Sequence, residues 1–374
     1  MNDRSESPLA EIRALPKIDL HRHLLGSARP ETLWELARKY DLEVGRMPLD
    51  EFTSAIIYRE PPGDLSRYIR PWGLFREVIR EPGDVRRIAF EAAMDARFDG
   101  IRYVEFRTSL PGMPIIVGQA PQTRIPADEY LDAIREAFSE ASGIACRLIA
   151  SVPRHVVGAA ELMLMQKYAT RFFDIVDKLR DNFVVGIDLT GIETGWPASL
   201  FKDFFVQARS MGFPITIHAG ETEGPEEIWA AIDQLGASRI GHGTSAPKDA
   251  DLVKELIKRK VILEVCPTTS WLIGSVKRRF SQPVIEHVPP IPYVICTDNP
   301  TVNGSTQSQE LSLTAHILGV ATKAFLHSQF HLASQAAFAP SALRPTDTVG
   351  SSEEIGSIQN YWTSPISGLQ RAKT

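Results

Sequence analysis

Eight short apolar stretches recur along this chain, and helical text separates most of them. They are Ile18–His23, Ile101–Arg107, Arg147–Ser151, Phe183–Leu189, Ile215–His218, Arg239–Gly243, Val261–Cys266 and Tyr293–Asp298. All are rich in residues that favour a pleated, buried strand. Between them, Ala127–Ser142, Ala159–Leu179, Ser199–Met211, Gly224–Leu235 and Asp249–Arg259 read as helices, and Pro30 opens another over Glu31–Tyr40, where proline's missing donor does no harm. Alternating βα units with largely apolar strands call for a parallel sheet covered by helices. Eight of them predict a closed (β/α)8 TIM-type barrel. An open doubly wound sheet competes, but it needs a Gly-rich phosphate turn, and the chain contains no G-x-G-x-x-G. No repeat at a solenoid period occurs either.

With 374 residues, the chain exceeds the usual barrel of about 250. Part of the surplus is 41–100, rich in Pro, Trp and Arg, with helical text at Leu74–Arg80 and Asp84–Phe98. A segment that long after the first strand reads as a helical insertion, a lid or wall beside a site. From about Ala333 the composition shifts to Ser, Ala, Pro, Thr and Gly. Residues 1–340 are therefore expected to form one barrel domain, and 341–374 a tail that is flexible or draped over the surface.

Charge and cysteine usage remove other classes. The formal net charge is −5, with no basic run, which argues against a nucleic-acid partner. Met1–Pro16 lacks the apolar core of a signal peptide, and no apolar run reaches membrane-spanning length. Cys146, Cys266 and Cys296 have no C-x-x-C spacing and read as small buried residues of a reducing compartment, so cytoplasm is expected. Nothing in the sequence indicates an oligomeric state.

In a barrel of this kind the chemistry gathers at the carboxyl ends of the strands. The first expected strand carries His21 and His23, which at i and i+2 share a face. The fifth ends in His218, the sixth carries His242 and the eighth ends in Asp298. Each residue taken singly also reads as a buried, capping or turn residue. Their joint placement on one rim favours a site. Three histidines and an aspartate suit zinc with a position left for water, which makes hydroxide available at neutral pH. Glu221, three residues after His218, is placed to move protons, and His242 to deprotonate or hold the attacking water. The expected chemistry is metal-assisted hydrolysis at an electrophilic carbon.

Six motifs then resemble, in order, those of the adenosine deaminase family of the metal-dependent hydrolase superfamily. They are KIDLHRHLLG (17–26), VGIDLTGIE (185–193), IHAGE (217–221), RIGHGT (239–244), LEVCP (263–267) and TDNP (297–300). The resemblance implies a barrel with one zinc ion per chain that replaces the 6-amino group of a purine nucleoside or base with oxygen and releases ammonia. It implies that His21, His23, His218 and Asp298 bind the metal, with Asp298 also orienting the water. Glu221 would protonate purine N1, and His242 would assist hydroxide attack. Gly191 would offer its N–H to purine N3. The P-C-x-x-C motif of the other zinc deaminases is absent.

Two positions depart from the family pattern. Asn299 stands where a second aspartate commonly meets purine N7, and its amide can still donate there. Leu25 stands where adenosine-specific members usually carry an aspartate for the ribose 5′-hydroxyl and adenine-specific ones a glutamate. Leucine does neither, so an apolar 5′ side is expected. The alternatives are an adenine deaminase, a deaminase of a 5′-modified adenosine such as aminodeoxyfutalosine, an amidohydrolase acting on an amide or ester, and a catalytically silent binding protein.

Overall fold

A computed structural model describes residues 8–111, 125–154, 162–180 and 182–342. Eight parallel strands succeed one another around a barrel: β1 Lys17–His23, β2 Ile101–Ser109, β3 Ala145–Pro153, β4 Val184–Thr190, β5 Ile215–Ala219, β6 Arg239–His242, β7 Ile262–Val265 and β8 Tyr293–Ile295. Each pairs with the next in sequence. β8 is shorter than the apolar run suggests. Cys296 still donates to the Val265 carbonyl (2.9 Å), and the chain rejoins β1 at Asp298, whose N–H donates to His21 O (2.8 Å) and whose carbonyl accepts from His23 N–H (2.7 Å). That junction closes the barrel, so a metal-site candidate is also the seam of the sheet.

The strands are buried almost throughout because helices cover their outer faces. In the helix Pro82–Phe98, Val85, Ile88, Ala89, Ala92, Ala93 and Ala96 recur at helical spacing and are all buried. It packs on the helix Ala127–Glu140 and on β2, where Phe106 stacks on Phe138 with centroids 5.2 Å apart. Part of the expected insertion is thus an ordinary outer-layer helix. The wall beside the site comes from Leu65–Tyr68 and Pro71–Glu77. The foot of the barrel is closed by the helix Thr322–Ala336 and by the short segment 337–342. Arg239 donates to Ala336 O (2.8 Å) and stacks on Phe338 (3.6 Å), whose N–H donates to Glu105 (2.6 Å). Packing therefore continues past the compositional shift at Ala333. Beyond Ala342 the expected tail lies outside the described residues.

The barrel interior is charged, which the apolar reading of the strands did not anticipate. Tyr103, Glu105 and Arg107 alternate along β2 and are fully buried. Glu264 on β7 accepts from Arg107 (2.8 Å) and Thr216 (3.0 Å) and forms an ion pair with Arg239 (2.7 Å). Arg239 also pairs with Glu105 (2.6 Å). Buried charges persist only when paired and hydrogen-bonded, and this stack reaches up to the first histidine. Among the described residues no helix is long and apolar enough to cross a membrane. Cys146, Cys266 and Cys296 are buried and free.

Candidate active site

The seven candidate residues named from the sequence, with Asn299, converge at the carboxyl end of the barrel. His23, Gly191, His218, Glu221, His242, Asp298 and Asn299 line one cavity of about 500 Å³, and Leu25 lines it too. His21 lies just beneath, wholly buried. The ring nitrogens of His21, His23 and His218 lie within 4.8 Å of one another. Asp298 Oδ1 stands 3.4 Å from His21 Nε2 and 3.2 Å from His23 Nε2.

The outward nitrogens of this cluster are already engaged. His21 Nδ1 meets Glu264 at 2.9 Å, and His218 Nδ1 meets Asp188 at 2.9 Å and Leu189 O at 3.1 Å. A carboxylate behind Nδ1 fixes the tautomer with its proton there and turns the Nε2 lone pair inward, as in carboxylate–histidine–metal triads. His21 Nε2 has no hydrogen-bond partner, while the Nε2 atoms of His23 and His218 stand 3.2 Å apart. Converging lone pairs beside a carboxylate need a cation or a proton between them. This donor set fits a divalent ion of the zinc type.

Burial pushes the His218 pKa down to about 4, which keeps its lone pair free. His21 moves the other way: against burial and the Arg107 charge, the adjoining carboxylates of Asp298 and Glu264 favour its protonated form. A bound cation would take that proton's place. Asp298 resists the same burial through the adjoining His21 and His23 rings, so its carboxyl stays well below the ordinary range. Thr269 Oγ1 donates to its other oxygen at 2.7 Å, and Asn303 in turn donates to Thr269 (2.9 Å).

Glu221 and His242 form the second half of the site, with Oε1 and Nε2 3.4 Å apart. Burial, then the charges of Asp298 and Glu193, push the Glu221 carboxyl well above its usual value. Burial, then the facing His21, push His242 well below its own. A protonated acid and a neutral imidazole therefore sit side by side in one cavity. His242 and Asp298 are two of the five non-glycine residues with positive φ among the described residues (+65° and +60°). Such strain, of order 1–3 kcal/mol each, concentrates at sites whose surroundings over-determine the backbone.

The supporting groups were harder to read from the sequence. Glu193 accepts from the N–H groups of Gly220 (2.6 Å), Thr222 (2.7 Å) and Glu223 (3.0 Å), fixing the loop that presents Glu221. Arg154 holds the His218 carbonyl at 2.7 Å. Tyr68 donates to Asn303 (2.7 Å) and accepts from the Asn299 amide (3.2 Å). Alternation on β2 and β7 could have flagged Arg107 and Glu264 as inward-facing. Tyr68 and Thr269 carried no comparable signal. Gly191, at φ +103°, takes a backbone conformation that a side chain would strain, and it lines the cavity. Gly26 leaves room for Asn299, whose side chain any Cβ there would overlap.

Comparisons with known proteins fit this geometry. A sequence profile described as adenosine deaminase matches residues 16–345. An adenosine deaminase from Escherichia coli (strain SE11) is 34% identical over 324 residues, covering 85% of this chain and 92% of that one. Among solved structures, an adenine deaminase from Arthrobacter aurescens superposes with a TM-score of 0.75 at 19% identity, over 94% of this chain and 100% of that one. An amidohydrolase from Burkhoderia ambifaria with bound Zn gives 0.74 at 24% identity over 96% and 94%. An Arabidopsis N6-mAMP deaminase gives 0.74 at 24% identity over 95% and 99%.

Proposed function

The chain belongs to the adenosine deaminase family, and from that membership we propose that it is a zinc-dependent purine aminohydrolase. It converts adenosine, deoxyadenosine or a close analogue, with water, into the 6-oxo product and ammonia. The observation that carries this reading is the Glu221–His242 pair, held 3.4 Å apart with opposite pKa displacements beside the three-histidine, one-aspartate cluster.

His21, His23, His218 and Asp298 would hold one zinc ion per chain, a reading supported by the donor set and by the zinc-bound amidohydrolase of the same fold. When bound there, zinc supplies hydroxide at neutral pH by lowering the pKa of a coordinated water to about 7. Every other step belongs to side chains of this protein. Protonated Glu221 donates to purine N1, which draws electrons from C6. Neutral His242 accepts a proton as the water oxygen bonds to C6, and the resulting imidazolium stands beside the developing negative charge. His242 then passes its proton to the amino group, the C6–N bond breaks with release of ammonia, and the C6 hydroxyl proton returns to Glu221 as the 6-oxo group forms. Asp298, fixed by Thr269, orients the attacking water. Gly191 offers its N–H to purine N3. One amide proton of Asn299 is occupied by Tyr68, and the other is free for purine N7.

The sugar end favours a 5′-modified nucleoside as the second reading. Leu25 gives a 5′-hydroxyl no acceptor, and its neighbours along the cavity include Leu65, Ile69 and Trp72. We place the enzyme in the cytoplasm on its three free, buried cysteines. Ammonia release from adenine, adenosine, deoxyadenosine, 5′-deoxyadenosine and 5′-methylthioadenosine tests the proposal. The nucleosides should be deaminated without preference for a free 5′-hydroxyl. Adenine turned over best would favour the base deaminase, and ammonia from none would sink the reading.

A further inference from the structure

Tyr68 lines the cavity beside Asn299, yet no step of the chemistry at C6 uses its hydroxyl. It comes from the short helix Leu65–Tyr68, part of the wall beside the site. Its side chain is 1% exposed, and its ring packs against those of Tyr58 (centroids 5.9 Å apart) and Trp72 (5.8 Å). The hydroxyl is therefore fixed in place, and each of its two hydrogen bonds has one direction.

That direction is set by a backbone carbonyl. Asn303 Nδ2 lies 3.0 Å from Thr297 O, which can only accept, so this end of the Asn303 amide is the nitrogen. The same nitrogen gives its second proton to Thr269 Oγ1 (2.9 Å), whose own proton goes to Asp298 (2.7 Å). The Asn303 oxygen is left facing Tyr68, and the phenol must donate to it (2.7 Å). With that proton committed, the phenol oxygen can only accept from Asn299 (3.2 Å), so Asn299 must present its nitrogen on this side. An amide has nearly the same shape either way round, so its hydrogen bonds choose its orientation. The choice has a cost, because Asn299 Oδ1 is buried without a hydrogen-bond partner among the described residues. An ionised carboxylate in place of Asn299 would have no proton for the phenol oxygen, so Tyr68 and an asparagine form a matched pair.

We propose that Tyr68 is a specificity-determining positioning residue: by taking one proton of the Asn299 amide it turns the nitrogen, with its second proton, toward the purine, so that the site demands a hydrogen-bond acceptor at purine position 7. The inference rests on the purine aminohydrolase reading. A ligand with C–H at position 7 leaves a buried N–H unpaired, which corresponds to about a 10- to 100-fold loss of affinity.

The probes are inosine, the 6-oxo product, and 7-deazainosine, which carries C–H in place of N7. Their dissociation constants are read by calorimetry on zinc-loaded protein, so reactivity at C6 does not enter. The wild type should bind inosine at least about tenfold more tightly than 7-deazainosine. Tyr68→Phe keeps the ring and should bring that ratio towards one, with the loss falling on inosine; a residue that only packs would weaken both ligands alike. Asn303→Ala frees the phenol proton for Asn299 Oδ1, which lets the amide turn over. It should lower the ratio too, and it carries the test if Tyr68→Phe does not fold. Equal affinities in the wild type, equal weakening of both ligands by Tyr68→Phe, or an unchanged ratio in Asn303→Ala would each overturn the proposal. Ammonia from no purine, together with no binding of inosine, would sink the aminohydrolase reading and this proposal with it. Ammonia from a purine with an unmoved ratio would sink this proposal alone.

Discussion

In the proposed mechanism Glu221 donates a proton and His242 accepts one, and one environment displaces this acid and this base in opposite directions. Replacing Glu221 by Gln keeps the shape and removes the proton. It should lower kcat by about 10²- to 10⁴-fold, the range of general acid catalysis, while zinc content by elemental analysis is unchanged. A matching loss of metal would instead make Glu221 part of the metal site. Leu25→Asp gives the cavity an acceptor and should raise the kcat/KM ratio of adenosine to 5′-deoxyadenosine by about tenfold or more. An unchanged ratio would move the 5′ position away from this residue. The ligand candidates were legible in the sequence because strand-end positions share one rim in a barrel. Glu264 and Thr269 were not, since their roles depend on which strand ends face His21 and Asp298 across the barrel.

At the scale of elements, the strand and helix pattern was largely legible because each apolar period has one way to be buried. The exceptions have local causes. β8 ends early because the backbone turns at Asp298 to meet β1. The expected helix over Gly224–Leu235 closes in a π-turn at Ala231–Leu235, which hydrophobic spacing does not encode. The helix Pro82–Phe98 was misplaced within an insertion, yet it has a well-defined start. Asp84 accepts from the N–H groups of Arg80 (2.9 Å) and Glu81 (3.1 Å), from Lys39 (2.8 Å) and from Tyr40 (2.5 Å). Although burial opposes it, these bonds lower the Asp84 pKa below its ordinary 3.8. The stabilisation is therefore complete above pH 3.8 and is lost as pH falls through the lower folded value. Asp84→Asn should cost about 1–2 kcal/mol in denaturant melts at pH 7. The gap to wild type should narrow below about pH 4; a gap independent of pH would exclude this linkage.

At the scale of the whole molecule, the proposed metal site and the barrel closure are one structure, because Asp298 both faces His21 and His23 and joins β8 to β1. Metal binding should therefore stabilise the fold as a unit. At a free zinc concentration about 100 times the dissociation constant, the linkage is about 2.7 kcal/mol, a rise in melting temperature of several degrees for a domain this large. Identical melting curves with and without a chelator would separate the site from the closure. The central claim is that His21, His23, His218 and Asp298 hold one ion that Glu221 and His242 depend on. Its most direct test is ammonia release from adenosine and its 5′-modified analogues while chelated protein is titrated with zinc. Activity should rise linearly from near zero and break at about one equivalent per chain, and the His218→Ala protein should show no such rise. Full turnover before zinc is added, or an unaltered titration with His218→Ala, would contradict the account.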